Sequence, residues 1–294
     1  VTGDFDPPVT AIREAVGRAL AEDLGVLGDL TSTALIPGDA LGTGHFVARA
    51  PGVLAGTAAA TEVFAQVDPA VTLTWAAADG DTVAAGQHLG TVTGPLRSVL
   101  TAERAALNFL GHLSGIATLT RAHVDAITSV AGGGGCKIRD TRKTTPGLRA
   151  LEKAAVRAGG GANHRGNLSD AVLVKDNHLR YLEGSRGASG STIAEAVDRA
   201  RARWPGAVVE VECDTLDQLA EAKAAGADLA LVDNMTPAEV AKAVALADGA
   251  LPIEVSGRVT LATVAAYAAA GADLVSVGAL THSAPVLDIA LDLE

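Results

Sequence analysis

The sequence predicts an α/β protein: a parallel βα array in the C-terminal half, preceded by a separate α+β region. Three observations carry this prediction. Short apolar runs at 208–212, 229–233, 252–256 and 273–278 each close on a polar residue or glycine, and their ends fall 21, 23 and 22 residues apart. The segments between them, 216–225, 236–247 and 260–270, have helical patterns. Residues 1 to about 100 lack this beat and are rich in turn signals. A strand–helix unit recurring at such an interval builds a parallel sheet, because a parallel return needs a crossover helix. The array either closes into a barrel or stays open and doubly wound, and the regular spacing favours the barrel.

The elements follow in order. A helix covers 12–24, and β-like runs come next, with turns at Asp79-Gly80-Asp81 and Gly94-Pro95. A helical stretch at 102–127, interrupted near Ser114-Gly115, joins the two parts, and Gly132 to Gly135 forms a flexible connection. A strand at 171–175 ends on Lys175 and belongs to the same parallel sheet. Thr236 with Glu239 reads as a capping box with Pro237 at the first helical position. Gly226 and Gly271 stand where helices stop. The apolar stretch 261–280 is broken by Gly271-Ala272-Asp273, so it reads as helix, turn and strand, not as a membrane span.

Composition narrows the function. Hydrophobic residues make up 48% of the 294, enough for a sizeable core, and the 19% charged fraction is too low for a disordered polyampholyte. A net charge of −11 argues against a duplex-DNA binder. Two Trp, two Tyr and four Phe offer few stacking platforms for single strands. Cys136 and Cys213 cannot build a disulfide framework, which fits a reducing, cytoplasmic setting, and each reads as a small buried apolar residue. The first residues, Val1 to Asp6, show neither the basic start nor the apolar run of a secretory leader. The seven His have no zinc-ligand spacing, and Gly159-Gly160-Gly161 is not followed by the Gly-Lys-Ser/Thr of a P-loop.

One segment departs from this acidic background. Lys137, Arg139, Arg142, Lys143, Arg149, Lys153, Arg157 and Arg165 face only Asp140 and Glu152 between positions 137 and 165. Such an island suits a cleft for a small, highly charged anion. Arg149, Lys153 and Arg157 recur at helical spacing and read as a solvated helix face. Arg142-Lys143 and His164-Arg165 lie among Thr, Gly, Asn and Pro, where side chains serve sites. Arg supplies a planar fork for carboxylates and Lys a point charge for phosphates. His164 either donates a hydrogen bond or packs in its loop. Glu212 and Asp233 close successive strands at the expected mouth, where they hold sugar hydroxyls or hydrated Mg2+, or else pair with a lysine such as Lys175. Ser256-Gly257-Arg258 and Gly278-Ala279-Leu280 end later strands and fit a phosphate cradle of backbone N–H groups.

A series of segments spanning nearly the whole chain resembles the quinolinate phosphoribosyltransferase family. They are Glu22-Asp23-Leu24-Gly25 with Gly28-Asp29-Leu30-Thr31, Ala102-Glu103-Arg104-Ala105-Ala106-Leu107-Asn108-Phe109-Leu110, and Leu113-Ser114-Gly115-Ile116-Ala117-Thr118. Asp140-Thr141-Arg142-Lys143-Thr144-Thr145-Pro146-Gly147, Gly159-Gly160-Gly161-Ala162-Asn163-His164-Arg165 and Val174-Lys175-Asp176-Asn177-His178 follow. Glu210-Val211-Glu212, Leu231-Val232-Asp233-Asn234-Met235 and Ser276-Val277-Gly278-Ala279-Leu280-Thr281-His282-Ser283 complete the series.

The resemblance implies an N-terminal α/β sandwich over 1–115 and an incomplete α/β barrel over 116–294 that carries the active site, with the last residues packing back on the first domain. It also implies phosphoribosyl transfer from phosphoribosyl pyrophosphate (PRPP) to quinolinate with decarboxylation. The rivals are transfer to another aromatic acid and a non-catalytic sugar-phosphate binder. Arg142, His164, Arg165 and Lys175 match quinolinate-carboxylate and phosphate contacts, and Lys143 a position shared by both substrates. Glu212 and Asp233 match residues near the ribose and the Mg2+ that accompanies PRPP. Ser256, Gly257 and Gly278 match the 5-phosphate loops, and His282 also matches a substrate-binding position. Lys143, Lys175, Glu212 and Asp233 form the catalytic set. Arg104 matches an arginine lent to the neighbouring subunit, so a homodimer or higher homo-oligomer is expected, with no nucleic acid and no membrane. The family commonly has Ser-Gly-Gly where this chain has Ser256-Gly257-Arg258. Arg258 either adds a phosphate contact or sits on backbone that avoids positive φ.

Overall fold

The computed structural model of the chain describes residues 6–130, 135–184 and 192–294. Val1 to Phe5 and most of the expected glycine connection, Gly132 to Gly134, lie outside the described residues. The first part runs α1 (Val9–Leu24), α2 (Leu30–Leu35), β1 (Leu41–Ala48), β2 (Gly52–Val53), α3 (Thr57–Val67), β3 (Thr72–Trp75), β4 (Thr82–Val83), β5 (His88–Pro95) and α4 (Leu96–Thr128). The second runs β6 (Lys137–Arg139), α5 (Arg149–Ala158), β7 (Val172–Val174), α6 (Asp176–Gly184), α7 (Thr192–Arg203), β8 (Val209–Cys213), α8 (Leu216–Ala224), β9 (Leu229–Asp233) and α9 (Pro237–Ala247). It closes with β10 (Ile253–Ser256), α10 (Val264–Ala269), β11 (Leu274–Ser276), α11 (Ala279–His282) and β12 (Ile289–Leu293). Two compact units result. One joins Val1–Arg121, Lys143–Gly161 and Leu280–Glu294; the other joins Ala122–Arg142 and Ala162–Ala279.

In the first unit, an antiparallel sheet in the order β12-β1-β5-β3 packs aromatic side chains over its core. Phe46 meets Phe64 edge-on at 6.1 Å and Trp75 at 5.3 Å between ring centroids. The C-terminal β12 pairs with β1, from Gly44 opposite Leu293 to Ala48 opposite Ile289. The expected break near Ser114-Gly115 does not occur, and α4 runs unbroken for 33 residues. Gly115 marks a close approach instead, because a Cβ there would lie 2.1 Å from the Pro285 carbonyl oxygen. Ser114 Oγ accepts from Ala55 N–H at 2.9 Å and donates to the Ala55 carbonyl at 3.1 Å, so this polar pair ties the helix inward.

The solvated face expected on α5 is also corrected. Lys153 is 6% exposed, and Arg149 and Arg157 are half-buried. Spacing of i, i+4 and i+8 marks one side of a helix but says nothing of what covers it. Here α5 is enclosed, with Leu151, Ala154 and Ala155 against Gly56, Ala59 and Leu113.

The second unit is the parallel array. Six strands pair in the order β6-β11-β10-β9-β8-β7, every ladder parallel. Among the described residues no ladder joins β6 to β7, so the barrel is incomplete. One face of this sheet is apolar and nearly water-free, with Ile138, Val209, Val211, Cys213, Ala230, Val232, Ile253, Val255 and Val275. Burial pushes the Cys136 thiol to about 11 and the Cys213 thiol to about 12, so neither is a nucleophile near neutral pH.

Thr236 and Glu239 form the predicted capping box with Pro237 at the helix start, and Thr215 with Gln218 forms a second. The helix expected from 260 begins at Val264, because Thr260 and Thr263 spend their hydrogen bonds on a local turn. β6 was not anticipated: its charged–apolar–charged alternation is only three residues long, too short to read as a strand. No helix among the described residues is long and apolar enough to cross a membrane.

Candidate active site

Alternation along the parallel strands assigns the face opposite the apolar one. The register pairs Arg139 with Ser276, Leu274 with Glu254, Ser256 with Asp233, Leu231 with Glu212 and Leu173 with Glu210. Residues paired in a ladder share a face. Polar groups thus gather on one side of a sheet whose other side is hydrocarbon.

Beneath the strand ends lies a buried polar block. Arg139 and Ser276 both donate to the Glu254 carboxylate, which is fully buried. His164 Nε2 lies 3.2 Å from Glu210 Oε2 and 3.5 Å from Glu254 Oε1. Burial, and then the Glu210 carboxylate beside it, push the Glu254 carboxyl above its usual range, opposed by Arg139, His164 and Ser276. His164 N–H also donates to Asp140 Oδ1 at 2.8 Å, and the Asn163 side chain donates to the same carboxylate.

The proton on His164 follows from this network. Arg165 N–H donates to His164 Nδ1 at 2.8 Å, so Nδ1 is an acceptor and Nε2 carries the hydrogen that faces Glu210. Both ring nitrogens are therefore used inside the protein, and the side chain is 8% exposed. His164, matched to a substrate-contact position, holds the Arg165 backbone through Nδ1. The same bond disqualifies His164, Glu210 and Glu254 as a metal centre, although their ligand atoms lie within 4.8 Å of one another. A metal on Nε2 would force the imidazole proton onto Nδ1, against the Arg165 N–H.

Around this block stand the other expected residues of the unit. Arg165 is half-buried, with one guanidinium nitrogen donating to the Ala171 carbonyl at 3.0 Å. Its Nε is buried without a hydrogen-bond partner among the described residues. Burial, and then the Arg142 charge, lower the Arg165 pKa from its usual value, while Glu210 and Asp170 oppose them. Two guanidinium groups near one another suit a ligand that carries negative charge. Lys175, half-buried, pairs with Glu212 across adjacent strands. The lysine partnership weighed for Glu212 therefore exists, and a ligand reaching Glu212 must compete with it.

Asp233 ends β9 half-buried and accepts from the Asn234 side chain. Ser256, Gly257 and Gly278 are half-buried at neighbouring strand ends. A Cβ on Gly257 would lie 2.4 Å from Asn234 Oδ1 and 2.7 Å from Asn234 N, so only glycine fits there. Glu212 and Asp233 supply hard oxygen donors on adjacent strands, a set that fits Mg2+, which takes one or two carboxylates and leaves room for substrate phosphates.

Three expected residues belong to the first unit. Arg104 is exposed on α4, Lys143 is exposed with its carbonyl accepting from Thr281 Oγ1 at 2.9 Å, and His282 is exposed beside Ser283 at 2.7 Å. Sequence reasoning gave no individual role to Arg139, Asp140, Glu210, Glu254 or Ser276. The available signal was an acidic residue in the middle of an apolar strand, Val209-Glu210-Val211 and Ile253-Glu254-Val255.

Two family models cover nearly the whole chain. The one described as quinolinate phosphoribosyl transferase, N-terminal domain, matches residues 29–114, and the one for the C-terminal domain matches residues 116–292. The chain belongs to the quinolinate phosphoribosyltransferase family. It is 43% identical over 288 residues to the nicotinate-nucleotide pyrophosphorylase (carboxylating) of Mycobacterium leprae, covering 96% of this chain and 97% of that one. A solved nicotinate-nucleotide pyrophosphorylase from Francisella tularensis superposes with a TM-score of 0.90 at 37% identity over the full length of both chains. NadC from Streptococcus pyogenes gives a TM-score of 0.90 at 39% identity over 98% of each.

Within this quinolinate phosphoribosyltransferase fold, Arg258 resolves one earlier alternative. Its φ is +48°, so the backbone does not avoid the left-handed region even without glycine. Left-handed backbone costs a non-glycine residue about 1–2 kcal/mol. Arg258→Gly is therefore expected to stabilise the fold by about 1 kcal/mol in thermal or urea unfolding. A lower stability contradicts the strain.

Proposed function

We propose that Arg142, Arg165 and Lys175 grip the two carboxylates of quinolinate, with His164 holding Arg165 in place and Lys143 serving both substrates. The chain transfers the phosphoribosyl group of PRPP to quinolinate, releasing pyrophosphate and CO2 and leaving nicotinate mononucleotide. The observation that carries the site assignment is the Arg165 Nε, buried without a hydrogen-bond partner among the described residues, with the Arg142 charge near it on an otherwise acidic protein.

The ring nitrogen of quinolinate attacks the anomeric carbon as its bond to pyrophosphate breaks. Positive charge grows on the ribose, and Glu212 and Asp233 moderate it while positioning the sugar hydroxyls. Glu212 and Asp233 would hold the Mg2+ that accompanies PRPP, and the ion would supply positive charge to offset the departing pyrophosphate. Lys143 and Lys175 add to that offset. Ser256, Gly257 and Gly278 present backbone to the 5-phosphate, and His282 completes the substrate contacts. After transfer the ring is a pyridinium. Its positive charge stabilises the electron pair left on the ring carbon when the neighbouring carboxylate departs as CO2, and solvent supplies the proton that this pair then binds. No side-chain nucleophile is needed, and catalysis rests on positioning and charge.

Arg104 is assigned to the site of a second subunit, so the working unit is a homodimer or a larger assembly. Fully exposed Val26, with Leu27, Leu30 and Leu35 each more than 60% exposed, supports self-association, since such patches mark interfaces. Mixing Arg104→Ala chains with Lys175→Ala chains is expected to restore activity, because one site of each mixed dimer keeps both residues. No recovery in verified mixed dimers counts against sharing.

The function itself is tested by incubating the protein with quinolinate, PRPP and Mg2+. Nicotinate mononucleotide and CO2 in equal amounts are expected. Product absent at every Mg2+ concentration would leave a sugar-phosphate binder.

A further inference from the structure

Lys143 carries a catalytic assignment, yet it sits on a stretch between β6 and α5 that has no helix or strand of its own. Something else must fix it. Three consecutive residues here are each tied by a different side chain. The Lys143 carbonyl accepts from Thr281 Oγ1 at 2.9 Å. Thr144 Oγ1 accepts from Arg149 Nε at 3.0 Å. Thr145 N–H donates to Glu152 Oε2 at 3.1 Å. Further along, the Gly147 carbonyl accepts from Arg18 at 3.2 Å.

Glu152 stands apart from the other ties. It is an acid that is 0% exposed, while Lys143 and Thr145 are at the surface. Burying a carboxylate is costly unless donors meet it. Its second oxygen accepts from His112 Nε2 at 2.9 Å, so one carboxylate joins the Lys143 segment to α4. Arg149 lies one turn before Glu152 on α5, so a single helix face supplies two of the ties. A buried polar group whose hydrogen bonds are made holds its partners rigidly, and a residue that presents an ammonium to a reacting group needs such support.

We infer that Glu152 is a positioning residue for Lys143, acting with Arg149 and Thr281 as a clamp on residues 143–145. This deepens the proposed function and rests on its assignment of Lys143. The clamp sets where the lysine charge sits as pyrophosphate departs, so its loss weakens the transition state more than the ground state.

The test compares Glu152→Ala with Glu152→Gln by steady-state kinetics and by hydrogen exchange across 143–147 in the same preparations. Glu152→Ala is expected to lower kcat about 10- to 100-fold, the cost of a small misplacement, with the quinolinate KM nearly unchanged. Its Thr145 amide should exchange faster. Glu152→Gln keeps an acceptor for Thr145 N–H, so kcat and exchange should both return close to normal. If Glu152→Ala does not fold, Thr281→Val removes the bond to the Lys143 carbonyl and should show the same kcat-only loss. Normal kcat in a folded Glu152→Ala protein overturns the proposal, as does a Glu152→Gln variant as impaired as the alanine. Lys143→Ala separates the two levels. If it is inactive while the clamp variants are normal, the clamp alone has failed; if it is fully active, the assignment of Lys143 has failed.

Discussion

Nicotinate in place of quinolinate is expected to lower kcat/KM by about 1000-fold, measured as nicotinate mononucleotide formed from PRPP. Nicotinate lacks the carboxylate next to the ring nitrogen. With only one acid group bound, the charge that Arg142, Arg165 and Lys175 offer to the second carboxylate finds no ligand to meet it. Removing one partner from a buried ion pair costs about 3–5 kcal/mol, and each 1.4 kcal/mol is a factor of ten. A site built around charged recognition rejects an analogue that lacks the charge much more strongly than an apolar pocket rejects a missing methylene. Comparable rates with the two acids would show that the cations serve something other than the second carboxylate.

Arg165→Ala is expected to lower kcat/KM for quinolinate by about 100- to 1000-fold, with the PRPP KM little changed, by the same accounting of a desolvated charge pair. Arg165→Lys should recover little, since an ammonium does not reproduce a planar fork. Stability should move the other way. Burial and the Arg142 charge both disfavour the charged Arg165 in the folded protein, so the alanine variant should melt no lower than the parent. Groups placed for function commonly oppose stability in this manner. A variant that loses activity and stability together would make Arg165 a structural residue, and one with normal kinetics would remove it from the site.

The regular parts of the fold were legible because local chemistry dictates them. The strand ends at Asp233 and Ser256 and the capping box at Thr236 and Glu239 follow from alternation and from capping preferences that act within a few residues. What escaped depends on partners far away in sequence. Gly115 reads as a helix breaker until Pro285 is seen against it. Lys153 reads as a surface cation until α5 is seen to be enclosed. The candidate site divides in the same way. Arg142, Arg165 and Lys175 stand out as cations in an acidic chain. Glu210 and Glu254 hide inside apolar strands, and only pairing across the sheet brings them to His164. The role of His164 was illegible for a related reason. Which nitrogen holds its proton depends on the N–H of the next residue, which a sequence pattern does not orient.

Cations from separate stretches of the chain are proposed to converge on one doubly acidic ring. The most direct measurement is a crystal structure of the protein with quinolinate bound. One carboxylate should lie at about 3 Å from the Arg165 guanidinium, and the other should be engaged by Arg142 or Lys175, with His164 still bonded to Arg165 and Glu210. Quinolinate seated elsewhere, or held in a pocket where neither arginine reaches a carboxylate, would contradict it.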